Sequence, residues 1–150
     1  LEVRPPQVRS ENQYEPRVGL YAQVRTPTGR LHILNTHLDP AAEPTYRHQE
    51  LIRLLAFARR TVPEAEPLIL GGDLNARDDT PDIAALTLTF TDAWRRCGDD
   101  GPGHTFPAHA PDRRIDYLLL RGLSCSRSEV LVTHASDHRP FIVTIIGQRR

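Results

Sequence analysis

Residues 68–76 read Leu-Ile-Leu-Gly-Gly-Asp-Leu-Asn-Ala, and this stretch predicts the centre of the fold. Three branched apolar residues are typical of a short buried strand. The two glycines after them permit the chain to turn sharply and another backbone segment to approach closely. Asp73 and Asn75 follow at once, and in extended backbone this spacing points both side chains to the same side. A carboxylate and a carboxamide therefore emerge at the carboxyl end of a core strand, where open α/β sheets tend to bind ligands. The pattern is equally typical of an inert Asx-rich turn, so the rest of the chain must separate the two interpretations.

The sequence around this stretch alternates strand and helix patterns, which predicts one α/β domain. Residues 17–25 alternate in hydropathy and residues 31–36 return after a Thr-Pro-Thr-Gly turn, so we expect an antiparallel pair of strands. The first of these strands has an apolar side that we expect to be buried, formed by Val18, Leu20, Ala22 and Val24. Residues 45–60 predict an amphipathic helix, and a second helix begins near Pro81. Further strands are predicted at 114–121, 130–132 and 141–146.

Polar residues adjoin three of the predicted strands. His37 ends the second strand, Gly-Gly-Asp-Leu-Asn ends the central one, and Ser-Asp-His at 136–138 precedes the last one. Asp116 lies among apolar residues of the 114–121 strand, where an unpaired carboxylate would be costly to bury. Polar residues that converge on one rim of a sheet are the usual components of an α/β site. The candidate site residues are therefore His37, Asp73, Asn75, Asp116, Asp137 and His138, whereas Asp39 is expected to be a loop or capping residue.

These residue types favour a hard divalent cation. Carboxylate and carboxamide oxygens suit Mg²⁺ or Mn²⁺, which usually bind one or two carboxylates together with water and phosphate oxygens. Zinc is disfavoured because the cluster has no cysteine and its histidines lack a paired spacing. Acidic residues, two histidines and such a cation suit the hydrolysis of a phosphate ester by water. A covalent triad is disfavoured, because the chain has no Gly-x-Ser-x-Gly motif and neither cysteine neighbours a histidine.

Composition gives only weak information about the partners and the compartment. The 150 residues suffice for one domain, and the formal net charge of zero indicates no strong basic field for nucleic acid. No apolar run approaches the ~20 residues that span a bilayer, and the polar first residues lack the apolar core of a signal peptide. Cys97 and Cys125 match no metal or redox spacing, so a disulfide and two free thiols are both open. The compartment stays open between cytoplasmic and secreted.

Four short motifs together resemble those of a known superfamily. In order they are Asn-Thr-His-Leu-Asp at 35–39, Gly-Gly-Asp-Leu-Asn-Ala at 71–76, Arg-Ile-Asp-Tyr at 114–117 and Ser-Asp-His-Arg-Pro at 136–140. Their order and spacing are similar to those of the endonuclease/exonuclease/phosphatase superfamily, which has the DNase I-like fold. The resemblance implies an α/β fold in which a β-sandwich is flanked by helices, with only the C-terminal part of the sandwich in this chain. We therefore assign 17–150 to the C-terminal part of that domain and 1–16 to an irregular, proline-rich segment.

The resemblance also implies roles for most of the candidate residues. Asp137 matches a metal-ligating aspartate, and His138 matches the histidine that contacts the scissile phosphate and helps to activate the attacking water. Asp116 would orient His138 and stabilise its charged form. Asp73 would handle a proton or a second metal ion, and Asn75 would hydrogen-bond the phosphate. Asp137, Asp73 and Asn75 are thus the implied metal ligands.

One matched residue and one departure refine this expectation. His37 matches a second histidine of the DNase I-like and sphingomyelinase-like branches, where it is a candidate general acid, and it is lacking in the exonuclease III type. The family also has an earlier strand ending in Asn and a later one carrying the main metal-ligating Glu, and neither motif precedes Arg17. We therefore expect a fragment that lacks the N-terminal segment of its own domain. We expect an exposed apolar face where the N-terminal segment of the domain would pack.

The expected function is that of a metal-dependent hydrolase acting on phosphodiesters, with phosphomonoesters as a further option. The substrate classes left open are nucleic acid, phospholipid headgroups and inositol phosphates. Two alternatives stay open: a catalytically inactive binding module on the same fold, and an incomplete fragment that is inactive without its N-terminal segment. The remaining histidines are expected to have no function, with His32 facing solvent on a strand, His48 exposed on the helix, and three in loops: His104, His109 and His134. Arg47 is expected on a solvated helix face, and Phe106 in the core.

Overall fold

A computed structural model describes residues 16–133 and 135–146, so the expectations for 1–15 and for His134 lie outside the described residues. Seven strands and three helices lie along these two segments. The strands are β1 (Gly19–Thr26), β2 (Gly29–His37), β3 (Leu68–Asp73), β4 (Thr91–Asp92), β5 (Asp116–Arg121), β6 (Ser124–Val130) and β7 (Phe141–Ile146). The helices are α1 (Thr45–Thr61), α2 (Pro81–Thr87) and α3 (Ala93–Cys97).

The strands form a five-stranded sheet in the order β1-β2-β3-β5-β4 and a two-stranded sheet of β6 and β7. Strands β2 and β3 are parallel, joined by the crossover helix α1, and the other neighbouring pairs are antiparallel. The register pairs His37 with Asp73, and Asp73 with Asp116. Three adjacent strands therefore bring their polar ends to one edge of the sheet. The expected mixed α/β fold of the DNase I-like type is confirmed.

The core lies between the five-stranded sheet and the helices. Strand β3 places Leu68 and Leu70 in it, fully buried, and α1 contributes Leu54 from the opposite side. Apolar residues of α2 extend the same cluster. Burial of this apolar surface is the main stabilising term, at about 25 cal/mol per Å² removed from water. None of the helices in the described segments is long and apolar enough to cross a membrane.

The other side of β1 is open, which makes the expected burial of its apolar residues wrong. Val18 is 59% exposed and Leu20 67% exposed, and Ala22 and Val24 are exposed too. The helices pack on the side of Tyr21, which belongs to the core cluster instead. Alternation separates the two faces of a strand, but the position of the helices decides which face is covered. We call the exposed surface formed by Val18, Leu20, Ala22 and Val24 the open face.

Two residues expected at the surface are buried. His32 is only 2% exposed, because its side chain points to the core side of β2, where Tyr21 Oη and Glu66 Oε2 lie 2.7 and 2.5 Å from its two ring nitrogens. Arg47 is also buried, and its Nη1 donates to the carbonyl oxygens of Asp39 and Ala41 at 3.1 and 3.0 Å. Both expectations are wrong for the same reason, since polar partners allow such side chains to be buried.

The predicted strand at 130–132 is also displaced. The strand is β6, which ends at Val130, and Leu131 and Val132 are exposed beyond it. The sequence of β6 contains no apolar alternation, and its pairing with β7 is what makes it a strand. Cys97 and Cys125 form a disulfide, which decides between the two alternatives and joins the end of α3 to β6.

Candidate active site

The edge where β2, β3 and β5 end is the candidate active site. His37, Asp73 and Asp116 stand on adjacent strands in register, and the loop before β7 adds His138. A cavity of about 320 Å³ adjoins them. It is lined by Gly72, Asp116, Tyr117, Leu118, Ser136, His138, Arg139, Pro140 and Phe141.

Asp116 and His138 form a hydrogen-bonded pair. Asp116 Oδ2 lies 2.8 Å from His138 Nδ1, so in the neutral ring Nδ1–H donates to the carboxylate and Nε2 keeps its lone pair. Nε2 lies 3.8 Å from Asp73 Oδ2. Burial lowers the pKa of His138, but the hydrogen bond to Asp116 and the charges of Asp116, Asp73 and Asp137 outweigh it, so the pKa is raised overall. The arrangement holds the imidazole in one tautomer and stabilises its protonated form.

Asp73 lies between the two histidines. Its Oδ2 is 3.4 Å from Nε2 of His37, whose side chain is largely exposed. Burial and the neighbouring charge of Asp116 raise the pKa of Asp73, while the N–H of Asn75, which donates to its Oδ1 at 2.8 Å, acts in the opposite direction. Two carboxylates that repel each other at a sheet edge favour a cation between them.

The glycines and Asn75 explain how the chain turns at this edge. A Cβ on Gly72 would lie 1.9 Å from the carbonyl oxygen of Thr36, and its φ of +125° also favours glycine. Asn75 has a φ of +48°, and its Nδ2 donates to the carbonyl oxygen of Leu38 at 2.9 Å. This side chain ties the end of β2 to the turn after β3. The predicted close backbone approach at the two glycines is confirmed.

Asp137 is exposed and stands apart from the other acidic groups. Its Oδ1 accepts a hydrogen bond from Ser136 Oγ at 3.2 Å, and the same Oγ accepts one from the N–H of His138. Its charge contributes to the raised pKa of His138. The structure therefore places Asp137 beside the pair of Asp116 and His138, without bringing its carboxylate into the group that could share one ion.

That group consists of Asp73, Asp116 and His138, whose ligand atoms all lie within 4.8 Å of one another. Two carboxylates are the donors that Mg²⁺ and Mn²⁺ prefer, and a ring nitrogen suits Mn²⁺ better than Mg²⁺. The donor set fits a hard divalent cation. The cation site implied by the sequence and the group found in the structure share Asp73.

Sequence reasoning missed two residues that support this site. The ring of Phe106, expected in the core, is half-buried and lies 4.7 Å from the His138 ring, centroid to centroid. Arg114 is buried and pairs with Asp92, with Nη2 2.8 Å from Oδ2 and Nη1 3.0 Å from Oδ1, and so anchors the residues that lead into β5. The position of Arg114 beside an apolar strand was a sequence signal for its role. No sequence signal identified Phe106. Asp39 is a buried loop residue whose Oδ1 accepts from the N–H of Ala41, in line with the expectation.

Comparisons with known proteins agree with this geometry. The model of the Endonuclease/Exonuclease/phosphatase family matches residues 3–138. The uncharacterized protein YbhP of Escherichia coli K12 is 30% identical over 142 residues, covering 87% of this chain, and the chain spans only 53% of that relative.

Solved structures share the fold. The mannosyl-6-phosphatase Bt3783 of Bacteroides thetaiotaomicron superposes with a TM-score of 0.77 at 19% identity, covering 90% of this chain and 59% of that one. TDP2 of D. rerio, in complex with a single-strand DNA product, has a TM-score of 0.69 at 18% identity, covering 91% and 64%. The family match covers the first three motifs and reaches His138 in the fourth, and the strand order brings the motifs to one edge of the sheet. The chain belongs to the endonuclease/exonuclease/phosphatase family.

Proposed function

We propose that this protein is a metal-dependent phosphoesterase that cleaves phosphodiesters by direct attack of water. The observation that carries the proposal is the placement of Asp73, Asp116 and His138 within one small volume at the sheet edge. His37 adds a second histidine next to Asp73. A base, an acid and oxygen ligands around one point suit phosphate-ester hydrolysis.

In this proposal His138 is the general base. With Nδ1–H donated to Asp116, Nε2 accepts a proton from water while the water oxygen forms its bond to phosphorus. The carboxylate of Asp116 stabilises the imidazolium that results, and the bond from phosphorus to the leaving oxygen breaks. His37, in its protonated form, returns a proton to that leaving oxygen. Asn75 would donate the second N–H of Nδ2 to a phosphate oxygen, since the first is donated to the carbonyl oxygen of Leu38.

We propose Mg²⁺ or Mn²⁺ as the cofactor, with Asp73, which lies in one group with Asp116 and His138, as its donor from this chain. Asn75 and Asp137, the other ligands that the resemblance implies, stay predictions. Such a cation, when bound, would neutralise charge that develops on the phosphate oxygens. Burial is the main cause of the raised pKa of Asp73 and the charge of Asp116 adds to it, and a bound cation would favour the ionised carboxylate against both. The domain assignment of 17–150 as a C-terminal part of the family domain is proposed together with it.

The open face indicates that a further segment packs on this sheet. Val18 and Leu20 expose large apolar surfaces on a sheet whose other side is well packed. Contiguous exposed apolar surface marks a place where another segment packs. We propose that an N-terminal segment of the same domain covers the open face and completes the metal site. The alternative is a catalytically inactive binding module on the same fold.

The structure supports phosphate esters as a class more strongly than any one member. Of the two similar solved structures, one is a mannosyl-6-phosphatase and the other holds a single-strand DNA product. We propose a diester substrate, with nucleic acid, phospholipid headgroups and inositol phosphates as the candidate classes. The zero net charge indicates that any nucleic acid would be held by local contacts rather than by a general field.

The test is hydrolysis of bis(p-nitrophenyl) phosphate and of p-nitrophenyl phosphate, with Mg²⁺, Mn²⁺ or EDTA. It is run on this chain and on the full-length gene product, each with a His138→Gln variant. His48→Gln is the matched control, because His48 is an exposed histidine on α1 that pairs with Asp82 instead.

We expect metal-dependent cleavage of the diester by the full-length protein, abolished by EDTA and reduced about 10²- to 10⁴-fold in H138Q. The H48Q variant should keep full activity. Cleavage of p-nitrophenyl phosphate without cleavage of the diester would contradict the diester assignment and indicate a phosphomonoesterase. Silence of both proteins with every metal would overturn the proposal in favour of a binding module.

A further inference from the structure

A hairpin-like loop at 105–113 packs against the Asp116–His138 pair. Its two ends are joined by hydrogen bonds from the N–H groups of Thr105 and Phe106 to the carbonyl oxygen of Arg113, at 3.0 and 3.1 Å. The N–H of Arg113 returns a bond to the carbonyl oxygen of Phe106 at 3.2 Å. We call this segment the 105–113 hairpin. Its closure gives residues 105–108 a defined position beside the site.

Thr105 contacts the backbone next to both members of the pair. Its hydroxyl oxygen accepts hydrogen bonds from the N–H groups of Ile115 and Asp116, at 3.3 and 3.4 Å. Its carbonyl oxygen accepts one from the N–H of Arg139, at 2.7 Å, immediately after His138. Thr105 has no exposed surface, so these bonds are shielded from water.

Other residues of the 105–113 hairpin also contact the loop that carries His138. The N–H of Ala108 donates to the carbonyl oxygen of Asp137 at 2.7 Å, and Nε of Arg139 donates to the carbonyl oxygen of Ala108 at 2.8 Å. The ring of Phe106 lies against the His138 ring, and the guanidinium of Arg113 lies 4.6 Å above the Phe106 ring. The loop that carries His138 lies between the last residue of β6 and the first residue of β7.

From these contacts we infer that Thr105 and Phe106 are positioning residues for the proposed general base. Thr105 joins the entry of β5, which carries Asp116, to the loop that carries His138, and Phe106 sets the plane of the imidazole. The 2.8 Å bond between Asp116 and His138 then depends on the 105–113 hairpin, because Asp116 lies in β5, His138 lies in the loop before β7, and Thr105 bonds to the backbone beside each of them. The inference rests on the proposed function, in which this pair activates water.

The test compares Thr105→Val, which removes the hydroxyl at nearly constant shape, with Thr105→Ser, which retains it. The first readout is the downfield proton resonance of Nδ1–H of His138, recorded on this chain and assigned by its loss in His138→Gln. We expect the resonance to be lost or shifted in T105V and preserved in T105S. Thr87→Val is the matched control, since Thr87 is an exposed threonine whose Oγ1 donates to the carbonyl oxygen of Ala84.

The second readout is steady-state hydrolysis by the full-length protein. T105V should lower kcat about 10- to 100-fold with little change in KM, because the base is displaced while substrate contacts remain. T105S should restore most of kcat. Phe106→Leu should give the same two effects, and it provides the second variant if T105V fails to fold, as judged by near-ultraviolet circular dichroism.

Two results would overturn the inference. One is a folded T105V or F106L variant that keeps both the resonance and kcat. The other is equal loss in T105V and T105S, which would make Thr105 a general structural residue. The Nδ1–H resonance of His138 is measured without turnover. An inactive parent protein would therefore contradict the proposed function, while the resonances of T105V and T105S would still decide whether Thr105 positions His138.

Discussion

Asp116 occupies the first position of β5, where its Oδ2 lies 2.8 Å from Nδ1 of His138. A carboxylate flanked by apolar neighbours requires a partner, and this one is bonded to an imidazole that also faces Asp73. The requirement for a partner was predictable from the sequence. The resemblance named His138 as that partner, and the structure adds the contact itself, between the first residue of β5 and the loop before β7.

We expect Asp116→Asn to reduce phosphodiester hydrolysis by the full-length protein about 10²- to 10⁴-fold. The amide cannot stabilise the imidazolium of His138 and can present its N–H₂ group to Nδ1, which favours the other tautomer. The measurement is kcat at saturating substrate. Asp112→Asn is the control, since that exposed aspartate pairs with Arg113. A D116N enzyme as active as D112N would contradict the role of Asp116.

At the scale of elements, β2 and the loop before β3 are joined by a buried histidine. His32 lies between Tyr21 of β1 and Glu66, with Arg30 also 3.6 Å from Glu66 Oε1. The hydrogen bond from His32 lowers the pKa of Glu66, burial opposes it, and the charge of Arg30 adds to the lowering. A carboxylate with a lowered pKa stabilises the folded protein above its unfolded pKa, and this contribution is lost as the pH falls through the folded pKa.

Glu66→Gln should therefore lower the thermal unfolding midpoint at neutral pH and have progressively less effect below the ordinary glutamate pKa of 4.5. The measurement is Tm of this chain from pH 7 to pH 3, with Glu64→Gln as the control because Glu64 is an exposed neighbour in the same loop. Parallel Tm curves for E66Q and the parent chain would show that Glu66 makes no such contribution.

At the scale of the whole molecule, the two sheets are joined by a covalent bond as well as by packing. The disulfide between Cys97 and Cys125 spans 28 residues and connects α3, which packs near the five-stranded sheet, to β6 of the other sheet. The closed segment includes the 105–113 hairpin and Asp116. The bond thus limits how far the end of α3 and β6 can move apart.

We expect the double variant Cys97→Ser/Cys125→Ser to lower the free energy of unfolding by about 2–5 kcal/mol, because the unfolded chain regains conformational freedom. Urea unfolding of this chain measures the change. Each single variant should lose as much as the double variant, since either one breaks the bond. Identical unfolding midpoints for the oxidised and reduced parent chain would contradict the expected stabilisation.

The sequence by itself determined the central strand, the glycine exit and the polar residues at the strand ends, because these depend on local hydropathy and on spacing along the chain. The four motifs in order also determined the family and the mixed α/β fold. Tertiary structure alone decided that the open face of β1 is uncovered, that His32 and Arg47 are buried, and that Cys97 pairs with Cys125. It also decided that Thr105 and Phe106 adjoin the candidate site. Each of these depends on contacts between residues far apart in the chain, and alternation or residue type does not specify which distant element packs on which face.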